Sequence, residues 1–312
     1  MRSVVTGGAG FIGSHLVDAL VERGDEVLAI DDLSSGKTEN VESALGKGAT
    51  LEVLDITDER LMLAMIGDFN PDSVFHLAAQ IDVRKSIADP SFDVRLNVVG
   101  TVNVLEAGVR TGARRFIFTS SGGTVYGEGA GRDRDLPFAE SASCEPDSVY
   151  GQSKLAAEGY VGYYARDRGL SGTILRLANV YGPRQDPATE AGVVAIFAEL
   201  ARDGGRPTVF GTGNQTRDYI HVDDVVAALL AAEGSAESGP FNVGTGVETT
   251  VLDLAERIGK LSGRGDFDPE FAPEREGEIE RNALDTSLSA KVLGWRAESS
   301  LETGLERTLG AV

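Results

Sequence analysis

Tyr150 and Lys154 stand four residues apart in the run Tyr150-Gly151-Gln152-Ser153-Lys154. On a helix that spacing puts a phenol and an ammonium on one face. A free tyrosine ionises near about pH 10. A neighbouring ammonium favours the phenolate and is expected to lower that value. Such a phenol can take a proton from a hydroxyl while hydride leaves the carbon bearing it. The hydride needs an acceptor, and the run Thr6-Gly7-Gly8-Ala9-Gly10-Phe11-Ile12-Gly13 reads as the bed for one. Placed between a strand and a helix, Gly7, Gly10 and Gly13 permit a tight turn, close backbone approach to a pyrophosphate, and close helix–strand packing. The N–H groups around Phe11 and Ile12 and the helix dipole favour the phosphate charge there. The two runs together point to a carbon oxidised and re-reduced beside a bound nicotinamide.

Further residues fit around these. Asp31 closes the second expected strand, eighteen residues after Gly13. A carboxylate there can accept both adenosine ribose hydroxyls and would repel a 2′-phosphate, so NAD is expected rather than NADP. Asp32 can share or substitute for this role. Asp55 and Ile56 end the third strand, where an adenine would lie. Leu77, Ala78, Ala79 and Gln80 end the fourth, and the small residues let a cofactor pass close over the sheet or simply pack the core. The turn 118–127, rich in Ser and Thr, offers Ser121 and Thr124 as hydroxyls for a substrate oxygen.

Positioning these groups calls for strands that alternate with helices. Short β-rich runs at 3–6, 26–30, 51–54, 73–77, 116–119 and 172–177 are separated by helical stretches, notably 14–23, 94–111 and 153–168. This is the pattern of βαβ units. The expected fold is α/β, a Rossmann-type doubly wound parallel sheet with a smaller C-terminal α/β substrate domain. Residues 1–180 form the NAD-binding part, with returning segments near 215–245, and 181–312 the second domain. Within the latter, 192–202 and 252–261 read as helices, 240–243 as a strand rejoining the main sheet, and 273–281 as a charged loop at the cleft.

Composition narrows the function. No stretch of about 18 apolar residues appears, so no membrane span is expected. The glycine motif begins almost at the N-terminus, which leaves no room for a signal peptide, and a cytoplasmic location is expected. Cys144 is the one cysteine, and His15, His76 and His221 show no ligand spacing, so neither a disulfide nor a metal site is expected. A net charge of −20 argues against nucleic acid as a partner. Few lysines and many acids suit a salt-rich cytoplasm, or simply an acidic protein from a high-GC genome.

With these residues in view, the chain resembles the extended short-chain dehydrogenase/reductase superfamily and, within it, the UDP-glucose 4-epimerases. Beyond the two motifs the resemblance runs through Phe75-His76-Leu77-Ala78-Ala79-Gln80, Asn97-Val98-Val99-Gly100-Thr101, residues 176–184, Arg217-Asp218-Tyr219-Ile220-His221-Val222-Asp223-Asp224, residues 241–246, Arg275-Glu276-Gly277-Glu278 and Leu293-Gly294-Trp295. It implies NAD-dependent inversion at C4 of a UDP-hexose through a transient 4-keto sugar. It implies further that Asn97 belongs to the cofactor site, that Asn179 contacts the diphosphate, and that Arg217 and Arg275 clamp the pyrophosphate against the unfavourable overall charge. The plainer reading of Arg275 is a solvated charge in an acidic loop. Asn282 falls where the family limits sugar size, and its small side chain implies tolerance for N-acetylated sugars. A homodimer through two helices of the first domain is also implied. One departure stands out: where the family commonly has Ser or Thr, this chain has Gly122, so Ser121 or Thr124 must serve. Family dehydratases carry an Asp-Glu pair in this turn, absent from Gly123-Thr124-Val125. UDP-glucuronate 4-epimerase, UDP-N-acetylglucosamine 4-epimerase and decarboxylase activities are the alternatives, with Arg84 or Lys85 as the cation a uronate would need. A non-catalytic NAD sensor would be expected to lose Tyr150 or Lys154.

Overall fold

The computed structural model describes residues 1–127, 136–188, 192–274 and 279–310. Strands and helices alternate through the first half: β1 (Arg2–Thr6), α1 (Phe11–Arg23), β2 (Glu26–Asp31), α2 (Glu42–Gly46), β3 (Thr50–Val53), α3 (Glu59–Phe69), β4 (Ser73–His76), α4 (Val83–Ala88), α5 (Pro90–Val94), α6 (Thr101–Thr111), β5 (Arg115–Ser121), α7 (Val149–Asp167) and β6 (Ser171–Leu177). The second half holds β7 (Asn179–Tyr181), α8 (Val193–Asp203), β8 (Thr208–Phe210), β9 (Thr216–His221), α9 (Val222–Gly234), β10 (Gly239–Val243), β11 (Glu248–Thr250), α10 (Val251–Leu261), β12 (Glu270–Ala272), α11 (Ser287–Val292) and α12 (Leu301–Gly310).

Seven strands pair in parallel in the order β10-β6-β5-β4-β1-β2-β3. Helices cover both faces, so the strands read as continuous apolar runs. Successive side chains enter opposite cores. Val4 packs with Ile66, Leu105 and Phe116 on one face, and Val5 with Leu16, Leu20 and Leu229 on the other. This is the Rossmann-type doubly wound sheet expected from the sequence. The chain reverses its direction of strand addition between β1 and β4, which opens a crevice at their C-terminal ends.

The return to the main sheet is made by α9, which packs beside α1, and by β10, whose Phe241 lies opposite Leu175 of β6. β9 stays outside it, paired with β7 and β11 in a three-stranded sheet. A separate core of Tyr181, Phe197, Leu254, Ile258 and Leu305 holds α8, α10 and α12 together around that sheet.

Two helices differ from expectation in ways that bear on the site. The single helix expected over 94–111 is interrupted by a π-helical stretch, Arg95–Gly100, between α5 and α6. Gly100 lies against Ile56, where a Cβ would come within 2.6 Å of the Ile56 side chain. Helix α7 starts at Val149 rather than 153, because Ser148 Oγ caps it by accepting the Gly151 N–H at 3.1 Å. Tyr150 therefore occupies the first turn.

Candidate active site

The crevice is a cleft of about 610 Å³, lined at one end by the glycine turn and at the other by β5, α7 and the 179–219 region. At the first end, Gly7 adopts φ +70, and a Cβ there would meet the Ala78 N at 2.7 Å. A Cβ on Gly13 would collide with the Gly7 carbonyl oxygen. The cradle thus exists only because these side chains are absent. No side chain caps α1 at Gly10, so its first N–H groups, around Phe11 and Ile12, remain available to a ligand. The buried Asp31 carboxylate accepts one N–H on each oxygen, from Ala9 at 3.0 Å and Leu33 at 2.9 Å. The Gly10 N–H also faces this carboxylate, which lines the cleft. Burial raises its pKa, against those N–H bonds. Asp32 lines the same end but is exposed, and its Oδ1 is taken by the N–H and hydroxyl of Ser34. Asp55, Ile56, Leu77, Ala78 and Ala79 line the cleft as well. A bare helix N-terminus, a side-chain-free cradle and a buried carboxylate fit a dinucleotide with free ribose hydroxyls, so the residues present suit NAD.

At the other end Ser121, Thr124, Tyr150 and Lys154 come together. Ser121 hydrogen-bonds the Tyr150 hydroxyl. Thr124 Oγ1 is buried and has no partner among the described residues. Gly122 lacks a hydroxyl for a steric reason: a Cβ would come within 2.5 Å of Leu284 and 3.2 Å of the Arg176 carbonyl. The electrostatics differ from expectation. Burial pushes the Tyr150 phenol above its ordinary value; the Ser121 bond opposes this and the Asp93 carboxylate adds to it. The ammonium expected to acidify it is engaged elsewhere, since Lys154 Nζ donates to the Thr119 carbonyl at 2.9 Å over the Phe118 ring. Burial pushes Lys154 itself down to about 8, against the pull of Asp93 and Glu158.

Gln80 and Asn97, expected to touch the cofactor, instead bind each other behind the cleft wall. Gln80 N–H donates to Asn97 Oδ1 at 2.9 Å, and Asn97 Nδ2 donates to the Gln80 carbonyl at 2.9 Å. Both also donate to Asp93 Oδ1. Other supports escaped the sequence reading. His76 is wholly buried, bonded to Thr6 at 2.6 Å and Thr101 at 2.9 Å. Thr101 donates its own proton to the Asn97 carbonyl, so His76 Nε2 is the donor and Nδ1 the acceptor. Burial, with Lys154 nearby, pushes it down to about 3. Glu158, one turn beyond Lys154, is held by Arg176 at 2.6 Å and by Ser120. Its i+8 spacing from Tyr150 was a readable signal. His76 offered none, because its partners lie on other elements.

Of the expected substrate residues, Asn179 and Arg217 line the cleft, and Asn179 Nδ2 is buried without a partner. Arg217 Nη1 donates to the Thr216 carbonyl at 2.8 Å. Asn282 sits behind the strand turn, its Nδ2 donating to the Gly122 carbonyl at 3.2 Å. Arg275 lies outside the described residues. Arg84 is exposed, 3.7 Å from Asp82, and neither it nor Lys85 lines the described cleft.

A model of the NAD dependent epimerase/dehydratase family matches residues 3–244. A UDP-glucose 4-epimerase of Mycolicibacterium smegmatis is 46% identical over 311 residues, spanning 99% of this chain and 97% of its own. Among solved structures, the Thermotoga maritima UDP-glucose 4-epimerase with UDP-glucose is similar with a TM-score of 0.95 and 43% identity, covering 100% of this chain and 98% of that one. The Thermus thermophilus UDP-glucose 4-epimerase in complex with NAD gives a TM-score of 0.89 and 39% identity, covering 100% and 98%.

Proposed function

Since the chain belongs to the NAD dependent epimerase/dehydratase family, we propose that it inverts C4 of a UDP-hexose and so interconverts UDP-glucose and UDP-galactose. One observation carries the choice within the family. The reacting end of the described cleft is lined by the hydroxyls of Ser121, Thr124 and Tyr150, while the lining acids, Asp31, Asp32 and Asp55, all stand at the dinucleotide end. Eliminating water requires an acid at the sugar; moving one hydroxyl proton out and back does not.

NAD would be held by the Gly7–Gly13 turn at its pyrophosphate, by Asp31 at its adenosine ribose, and by Ala78, Ala79, Tyr150 and Lys154 toward its reactive end. When bound, it supplies a hydride acceptor that later returns the hydride, and a positive charge near Tyr150. Tyr150 takes the C4 hydroxyl proton, directly or through Ser121, as the sugar becomes a 4-keto form. Because burial disfavours the phenolate, Tyr150 keeps that proton firmly until the sugar has turned, then gives it back on the opposite face. Thr124 offers its unpaired hydroxyl to the sugar. Asn179 and Arg217, with Arg275, hold the diphosphate while the sugar swings; a buried amide without a partner seeks an acceptor, and a guanidinium suits phosphate oxygens. Most binding energy then falls on the nucleotide, away from the reacting carbon. Residues 181–312, apart from the segments near 215–245 that return to the first domain, are the UDP-sugar part in this reading. The small Asn282 behind the Gly122 turn leaves the sugar pocket tolerant of N-acetyl groups.

A second copy of the chain completes the picture. Phe92, Val94 and Val99 near α5 and Tyr160 and Tyr163 on α7 are each more than 40% exposed. An apolar surface of this kind suits a homodimer in the cytoplasm, and light scattering would test it.

The activity test uses purified protein shown to contain NAD. Incubated with UDP-galactose and no added nicotinamide, it should form UDP-glucose. No conversion would refute the reading, and NAD binding without turnover of any UDP-sugar would favour a sensor.

A further inference from the structure

Asp93 is a fully buried carboxylate that the mechanism above leaves unused. It stands on α5, four residues before Asn97 of the π-helical stretch, so both side chains turn inward together. Its Oδ1 accepts from Gln80 Nε2 at 2.9 Å and Asn97 Nδ2 at 3.0 Å. Its Oδ2 is buried with no partner. Two neutral amides orient the group but do not balance its charge, and a buried charge left unbalanced is costly.

The cations around it leave one candidate. Arg84, Lys85 and Arg95, on or beside the same helices, are exposed to solvent. His76, from β4, is neutral. On α7, packed against α5, Lys154 is 3% exposed and touches no carboxylate, only the Thr119 carbonyl and the Phe118 ring. The other anion near Lys154 is Glu158, already paired with Arg176 at 2.6 Å and bonded to Ser120. Among the described residues around it, one buried anion and one buried cation thus remain, on helices in contact. Ser86 of the neighbouring α4 also meets α7, accepting the Tyr150 N–H at 3.1 Å.

We propose that Asp93 is the buried counter-ion of Lys154, a positioning residue that acts through Lys154 on Tyr150. It keeps the lysine charged despite burial, and its negative charge makes Tyr150 hold a proton more firmly. Gln80 and Asn97 aim it. The inference rests on the epimerase reading for its consequence, though not for the pairing itself.

The test separates the two. In protein labelled with 13C at lysine Cε, the Lys154 resonance, identified by its absence in Lys154→Met, should titrate with a midpoint that falls by about one pH unit or more in Asp93→Asn. Asp93→Glu, which keeps the charge, should stay near wild type. In turnover of UDP-galactose, both limbs of the pH profile should move to lower pH in Asp93→Asn, whereas a merely structural role would lower the rate without moving the limbs. If Asp93→Asn folds poorly, the double variant Asp93→Asn/Lys154→Met should recover stability relative to the sum of the single losses. An unmoved Lys154 midpoint in folded Asp93→Asn, or strictly additive losses, would overturn the pairing. Wild-type protein that does not turn over UDP-galactose would overturn the epimerase reading and leave the midpoint test standing.

Discussion

The two ends of the cleft are built by opposite means. The dinucleotide end is made of backbone: a turn that tolerates no side chains at Gly7 and Gly13, an uncapped helix, and one carboxylate set by two N–H groups. Its turn, helix start and carboxylate lie within residues 7–31, and Ala78 closes against the turn from β4's end. The reacting end is made of side chains drawn from β5 and the turn after it, β6, α7, β7 and β9. Some of its polar atoms, Thr124 Oγ1 and Asn179 Nδ2, have no partner among the described residues. A backbone site binds a constant ligand by shape. A side-chain site with spare hydrogen-bonding capacity is matched to a substrate that must move within it.

Four tests would break or sharpen this contrast. The largest effect is expected from Tyr150→Phe, which removes the proton acceptor and should cost about 10²–10⁴-fold in turnover. Bound NAD, measured by absorbance after denaturation, should remain near wild type. Loss of NAD would mean that the ends are not separable. Next, Gly13→Ala places a methyl against the Gly7 carbonyl and 3.0 Å from Gly8 Cα. Overpacking of this kind costs about 1–3 kcal/mol, so the purified protein should be depleted of NAD. Full NAD occupancy in Gly13→Ala would contradict the cradle geometry.

A smaller effect should tell the two hydroxyls apart. Ser121 bonds the phenol and Thr124 does not. Removing a hydrogen bond to a charged group costs about 1.5–3 kcal/mol, so Ser121→Ala should lower kcat by roughly ten- to a hundredfold. Thr124→Val should act mainly on KM. The reverse pattern would give Thr124 the proton-handling role.

The smallest effect concerns stability beneath both ends. His76, bonded to Thr6 of the cofactor turn and to Thr101, is held at about 3 in the folded protein, against an ordinary value of 6.5. The unfolded chain therefore binds one more proton across that window. Stability is present above about 6.5 and falls as pH drops toward 3, by at most about 1.4 kcal/mol per pH unit for this group. Urea unfolding near about pH 5 and pH 7 should show the loss, and His76→Gln should flatten it. An unchanged slope would mean that other groups carry the acid dependence.

Much of this can be read in the chain directly. The alternation that builds the sheet, the phosphate bed, Asp31, and the pair Tyr150 and Lys154 are local patterns, each set by neighbours within a few turns. The 94–111 stretch reads as one continuous helix because nothing local marks the π-helical interruption; Gly100 packing on Ile56 and Asn97 reaching Gln80 are contacts between elements. Gln80 and Asn97 look like cofactor ligands for the same reason: a sequence names polar residues without saying which partner consumes them. Glu158 lay within reach, on the helix face already identified.

The glycine spacing and the helix period by themselves decided that a dinucleotide bed and a phenol–ammonium pair exist, since both depend on backbone geometry over a dozen residues. The state of that pair belonged to the tertiary structure. Spacing promised an ammonium that acidifies a phenol. Packing instead buried both, turned Lys154 toward the Thr119 carbonyl, and brought Asp93 in from another helix. Charge in a protein interior depends on what surrounds a group in three dimensions, including how much water has been removed. No pattern along one chain segment carries that information.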